Sequence, residues 1–186
     1  YAGMAGQYAI ERLCGVPVIV DVASELQHRE CVFDRDTLGI AISQSGETAD
    51  TLQAIRMARR RGAKVLAITN VIGSSVARES DGLLYIHAGP EIGVASTKAY
   101  TSQILAVLLF CVHLGLVRGA LTPAQAKKFL RGIKRLPEQA EETLRRADQV
   151  KALARKYGEV KRYLYLGRGA NYCSAMEGAL KLKEIA

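Results

Sequence analysis

"ISQSGETADT" occupies residues 42–51, after the apolar run "LGIAI" (38–42) and before "LQAIRMARRRG" (52–62). Its hydroxyls, amide and glycine stand at the handover from a strand to a helix, with no lysine or arginine among them. "LGIAIS" (38–43) is continuously apolar rather than alternating, which predicts a strand buried on both faces, as in a parallel sheet. Residues 48–61 carry apolar side chains at helical spacing, with Leu52, Ile55 and Met57–Ala58 inward and Gly62 as the stop. A strand that passes into a helix through so short a loop opens a β–α unit.

The same order repeats on either side. Upstream, residues 2–13 predict a helix with Met4, Tyr8 and Leu13 inward, and the β-branched run "VPVIVDV" (16–22) predicts a strand. Downstream, "KVLAITN" (64–70) and "GLLYIHA" (82–88) predict two more strands, separated by a turn and short helix in "GSSVARESD". After the loop "GPEIGVAS", Ser96 or Thr97 is expected to open a long helix through Val117. Thr122 followed by Pro123 marks another helix start. Two further helices of mixed charge run to about Tyr157, then "YLYLG" (163–167) predicts a strand and "RGANY" leads into a final helix. Alternating strands and helices with short connections predict an α/β fold. It is a three-layer parallel sheet with helices on both faces, doubly wound in the flavodoxin-like manner. Ligands of such sheets bind at the carboxyl ends of the strands, where the 43–48 loop falls.

Composition bounds the rest. The 186 residues are 49% hydrophobic and 24% charged, enough for a core without covalent staples. The longest apolar run, "ILAVLLFCVHLGLV" (104–117), is shorter than a spanning helix needs and predicts a buried core helix. No signal-peptide pattern opens the chain, so a cytoplasmic protein with no membrane partner is expected. The net charge of +8 sits largely in helices with interspersed acids and without interleaved aromatics, which argues against nucleic acid. Cys14, Cys31, Cys111 and Cys173 form no paired motif and are expected to be reduced thiols. His28, His87 and His113 are scattered, with His113 expected in the core; no metal or cofactor is implied. The first helix has no capping residue ahead of it and the last has no stop, so the chain is expected to be a piece of a longer protein.

Two groups of residues can carry chemistry. If Ser45 or a neighbour caps the helix, the amides of residues 46–48 point outward unpaired, a place for an anion. Ser43, Ser45 and Thr48 can add hydroxyl protons, Gln44 an amide, and Gly46 a close approach to the backbone. The loop has neither GxxxxGK[ST] nor GxGxxG, so a phosphomonoester suits it better than a nucleotide. A plain capped helix start fits the spacing equally well. Glu177, Lys181 and Glu184, at i, i+4 and i+7, share one helical stripe. By spacing alone they read as surface ion pairs, each worth a few tenths of a kcal/mol.

"SQSGETADT" (43–51) resembles the phosphate-binding loop of the sugar isomerase (SIS) domain family. "EIGVASTKAYTSQ" (91–103) and "EGALKLKEIA" (177–186) are similar to one branch of it, the glutamine–fructose-6-phosphate aminotransferases; "VPVIVDVASE" and "GRGANY" fit too. The resemblance implies a first SIS domain over 1–120 that lacks its first strand and loop. It further implies a helical connection over 121–158 and the start of a second SIS domain over 159–186. It implies conversion of fructose 6-phosphate, with ammonia from glutamine, to glucosamine 6-phosphate. Glu184 would be the proton-transferring base, Lys181 would stabilise charge at C1–C2, and Glu177 would orient Lys181. Ser43, Gln44, Ser45, Gly46 and Thr48 would hold the phosphate, with Val94 and Ser96 near the sugar. Glutamine would act through a separate glutaminase domain, and the partner would be a second copy in a homodimer. The alternatives are a non-catalytic phosphosugar sensor and an SIS isomerase for another phosphosugar; a sensor has no need of the glutamate–lysine–glutamate stripe.

Overall fold

A computed structural model of the chain describes residues 1–29 and 32–185. Helix α1 (Ala2–Cys14) and the short α2 (Ala23–Leu26) precede strand β1 (Leu38–Ser43) and helix α3 (Ala49–Arg60). Strand β2 (Lys64–Thr69), helix α4 (Ser75–Glu79) and strand β3 (Gly82–Tyr85) follow. The long α5 (Lys98–Val117) leads to α6 (Pro123–Lys134), α7 (Leu136–Leu144), α8 (Ala147–Tyr157) and α9 (Ala170–Ile185).

The strands form a parallel sheet in the order β1-β2-β3. Leu38 faces Lys64 and Ser43 faces Thr69 across the first pair; Thr69 faces Tyr85 across the second. Alternate side chains leave opposite faces, as the pleat requires. Val65 and Ala67 join Ile55 and Ala58 of α3 and Val76 of α4 on one face. Ile68, Ile40, Ile42 and Leu84 join Ala106 and Val107 of α5 on the other. Helix α1 lies on α5 through Ile10, Cys14 and Cys111. These are the three layers expected, and all three strand C-termini point to one edge, which carries the loops after β1, β2 and β3.

Several local expectations differ from the structure. Residues 16–22 form no strand and join no described ladder. Val16 and Val18 pack on the α1–α5 cluster, and the Val18 backbone is held by α1 side chains: its N–H donates to Glu11 Oε1 (3.2 Å) and its carbonyl accepts from Gln7 Nε2 (2.8 Å). Residues 163–167 likewise pair with no described strand; Leu164 and Leu166 are each 90% exposed, and Tyr165, itself exposed, lies against Gly178 of α9. Strand β1 is half-buried, not enclosed, because it is an edge of the described sheet. The inward stripe of α1 is Ala2, Gly6, Ile10 and Cys14, while Tyr8 is exposed. A small residue is required at Gly6 because the helix sits close on α5 there: a Cβ would lie 2.5 Å from Val107 Cγ1.

Helix α5 begins before the apolar run; it has 20 residues, with an 18-residue window of mean hydropathy 1.8, and is long and apolar enough to cross a membrane by length and composition. Its buried residues, Ala99, Ala106, Val107, Cys111, Val112 and Gly115, face the sheet, α1 and Leu121, and His113 is exposed. The Thr122 cap is as expected, a capping box in which Thr122 and Gln125 satisfy each other. Among the cysteines, Cys14, Cys111 and Cys173 are free and buried, and Cys31 lies outside the described residues. Cys14 and Cys111 approach to 3.6 Å between sulfurs, and burial, with the bond from Cys14, pushes the Cys111 thiol up to about 12.

Candidate functional site

Strand β1 ends on buried Ser43, whose Oγ accepts from the Gly46 amide at 3.0 Å; Ser45 Oγ accepts from the Glu47 amide at 3.2 Å. The loop therefore caps its own amides, and an incoming anion would compete with two neutral hydroxyl oxygens. Thr48 is the α3 N-cap residue and is exposed, with no capping bond from its side chain.

Gly46 differs from its expected part. It is buried at φ 68°, and a Cβ there would lie 2.1 Å from Ser74 Oγ and 2.8 Å from Thr69 Oγ1. The close approach its missing Cβ permits is that of Ser74 and Thr69 in the protein interior. Its carbonyl accepts from Val76 N (2.9 Å), and Glu47 Oε1 accepts from Ser75 N (2.9 Å), so the loop is riveted to the start of α4. The Ser75 bonds hold the Glu47 carboxyl below its ordinary range.

Gln44 lines a cleft of about 520 Å³ with Asn70, Val71, Ile72, His87, Gly89, Pro90 and Glu91. The cleft lies at the carboxyl edge of the sheet, where the three strand-end loops meet. Asn70 ties two of them together: its Nδ2 donates to Gly89 O (2.7 Å) and its Oδ1 accepts from Ala88 N (2.9 Å).

Thr97 is the α5 N-cap residue, as expected, but neither its hydroxyl nor that of Ser96 makes the capping bond. That role falls to Glu91, whose Oε2 accepts from Ala99 N (3.0 Å), Thr97 N (3.3 Å) and Ser96 Oγ (3.3 Å). The Ala99 amide above all, then Thr97, Ser96 and nearby Lys98, keep the Glu91 carboxyl low against the pull of burial. The residues between bulge into solvent, with Val94 88% exposed.

On α9 the expected stripe is assembled. Lys181 Nζ lies 3.0 Å from Glu177 Oε1 and 3.1 Å from Glu184 Oε2. Burial alone would pull the Lys181 ammonium down, but its bonds to the two glutamates outweigh this and raise it. Tyr100 of α5 has a buried hydroxyl with no hydrogen-bond partner among the described residues. Burial first, and then the Glu177 carboxylate, raise that phenol.

The structure thus brings together Ser43, Ser45 and Gly46; Gln44 with Glu91; Ser96 with Glu91; and Glu177, Lys181 and Glu184. The cleft that Gln44 lines does not include the α9 stripe. Glu91, Glu47, Asn70 and Tyr100 were not picked out from the sequence. A glutamate five to eight residues ahead of a helix start is a weak signal, and the other three act across the fold. Among the described residues no three His, Cys, Asp or Glu side chains cluster as a metal site.

The SIS domain family model matches residues 1–113. The chain belongs to the SIS domain family. This SIS chain is 51% identical, over all 186 residues, to a glutamine–fructose-6-phosphate aminotransferase (isomerizing) of Symbiobacterium thermophilum, and 50% identical to one of Thermus thermophilus. It spans 30% and 31% of those proteins' lengths. Among solved structures it is similar to the C-terminal domain of glucosamine-fructose-6-phosphate aminotransferase from Francisella tularensis, with TM-score 0.96 and 39% identity. That match covers 99% of this chain and 52% of the other.

Proposed function

We propose that this SIS chain is part of a longer glutamine–fructose-6-phosphate aminotransferase, in which it binds fructose 6-phosphate and serves its conversion to glucosamine 6-phosphate. The observation that carries this reading is identity near one half along the whole chain to relatives of that name. The remaining length of those relatives leaves room for a glutaminase domain that would release ammonia. On this reading residues 159–186 begin a second SIS domain, segments 16–22 and 163–167 find strand neighbours in the longer protein, and the isolated chain is inactive. The enzyme is taken to be a cytoplasmic homodimer that needs no cofactor.

The chemistry follows from the assembled groups. Hydroxyls of Ser43, Ser45 and Thr48, with Gln44, hold the phosphate at the α3 N-terminus, where the helix dipole favours an anion. Val94 and Ser96 border the sugar. Once ammonia has formed the C2 imine, Glu184 takes a proton from C1 and returns it to C2. The Lys181 ammonium steadies the negative charge that develops between, and Glu177 fixes the lysine through their 3.0 Å contact. A sensor that only bound the sugar would gain nothing from holding an ammonium between two carboxylates.

Glu184→Gln in the full-length enzyme is expected to lower turnover about 10²–10⁴-fold, the usual worth of a positioned proton-transfer group, with fructose 6-phosphate binding retained. Steady-state kinetics with equilibrium binding checks it. Unchanged turnover would remove Glu184 from the reaction.

A further inference from the structure

Two long helices start at the carboxyl edge of the sheet, α3 and α5, and each N-terminus could attract an anion. They are treated differently. At α3 the loop amides are held by neutral hydroxyls, Ser43 to Gly46 and Ser45 to Glu47. At α5 they are held by a full carboxylate: Glu91 Oε2 takes the amides of Thr97 and Ala99 and the hydroxyl of Ser96. The same Glu91 lines the cleft opposite Gln44 of the first loop. A neutral oxygen yields to a phosphate dianion at modest cost, whereas a bound carboxylate both occupies the amides and repels the newcomer.

We propose that Glu91 is an internal anion that plugs the α5 N-terminus, so that a sugar phosphate can place its phosphate only on the 43–48 loop and must point its sugar toward residues 94–96. Glu91 is then a positioning residue that sets the direction of the substrate in the cleft. This rests on the reading of the 43–48 loop as the phosphate site. It also explains why the α5 cap is supplied from five residues before Ser96, when Ser96 and Thr97 are themselves good capping types: a hydroxyl cap would leave α5 as open to anions as α3.

The test is a titration of the isotope-labelled 186-residue chain, followed by amide NMR, with inorganic phosphate and separately with fructose 6-phosphate, in the wild type and in Glu91→Gln and Glu91→Ala. In the wild type, phosphate is expected to shift amides of 43–48 alone, and fructose 6-phosphate to shift those and 94–97. In Glu91→Gln, phosphate at 43–48 should bind within about twofold of wild type, amides 97 and 99 should now respond to phosphate, and the advantage of fructose 6-phosphate over phosphate should fall about tenfold. A change that merely loosened the fold would weaken both ligands alike. The proposal fails if the variants leave amides 97 and 99 silent to phosphate, or if both ligands lose affinity equally. A wild-type chain that binds phosphate but gains nothing from the sugar also defeats it, while the loop assignment stands. A wild type that responds to neither ligand defeats both.

Discussion

At Gly46 two demands meet that no other residue satisfies. The backbone is left-handed, at φ 68°, and Ser74 and Thr69 close over the position where a Cβ would stand. Gly73 has almost the same φ, 70°, but open space around it. The pair separates backbone strain from steric cost. Gly73→Ala is expected to lower stability by about 1 kcal/mol, the cost of a left-handed alanine. Gly46→Ala should cost roughly 3 kcal/mol, because overpacking is added to it. Urea unfolding of the two variants checks both values, and equal losses would show that Ser74 moves aside freely. The same residue shows how far sequence reading goes: the glycine and its flanking hydroxyls were visible as a set, but whether its bare face turned to a ligand or to the interior depended on Ser74, twenty-eight residues away.

Between elements, legibility follows the distance of the partner in the chain. Strand β1, its loop and α3 were readable because each is defined by its own neighbours, and so was the Thr122–Gln125 box, whose halves are three residues apart. Segments 16–22 and 163–167 have the composition of strands, yet a strand exists only beside another, and composition cannot supply one. The start of α5 at Thr97 is local and readable, whereas the carboxylate that takes its amides comes from Glu91, outside the reach of a local capping pattern. On α1, Leu13 packs on the α1–α5 cluster as expected, while Tyr8 is exposed and the tight crossing on α5 selects a glycine at position 6. That crossing gives a direct test. Gly6→Val should destabilise by roughly 2 kcal/mol, since Val107 is buried and its branched side chain has little freedom to retreat. Combining it with Val107→Ala should recover part of the loss, and a double-mutant cycle with no coupling would mean the helices do not meet there.

Over the whole molecule burial is uneven. The buried side chains gather in the sheet, in α1, α3, α4 and α5, and at Ala126 of α6 and Cys173 of α9, while α7 and α8 contain no buried residue. Their apolar side chains face water, Leu144 at 72% and Val150 at 64% exposed. Helices of 9 and 11 residues are marginal without packing, whatever their propensity. Local opening should therefore be far easier there than in β2, where Ala67 and Ile68 are wholly enclosed. Native-state hydrogen exchange of the 186-residue chain is expected to show amides of α7 and α8 exchanging roughly a thousandfold faster than those of β2, a gap of about 4 kcal/mol at 1.4 kcal/mol per decade. Comparable protection in α8 and β2 would contradict this and require that the exposed apolar faces be covered in solution. Exchange repeated at tenfold dilution then decides by what: protection that falls on dilution identifies a second copy of the chain, and protection that persists places the cover within the chain itself.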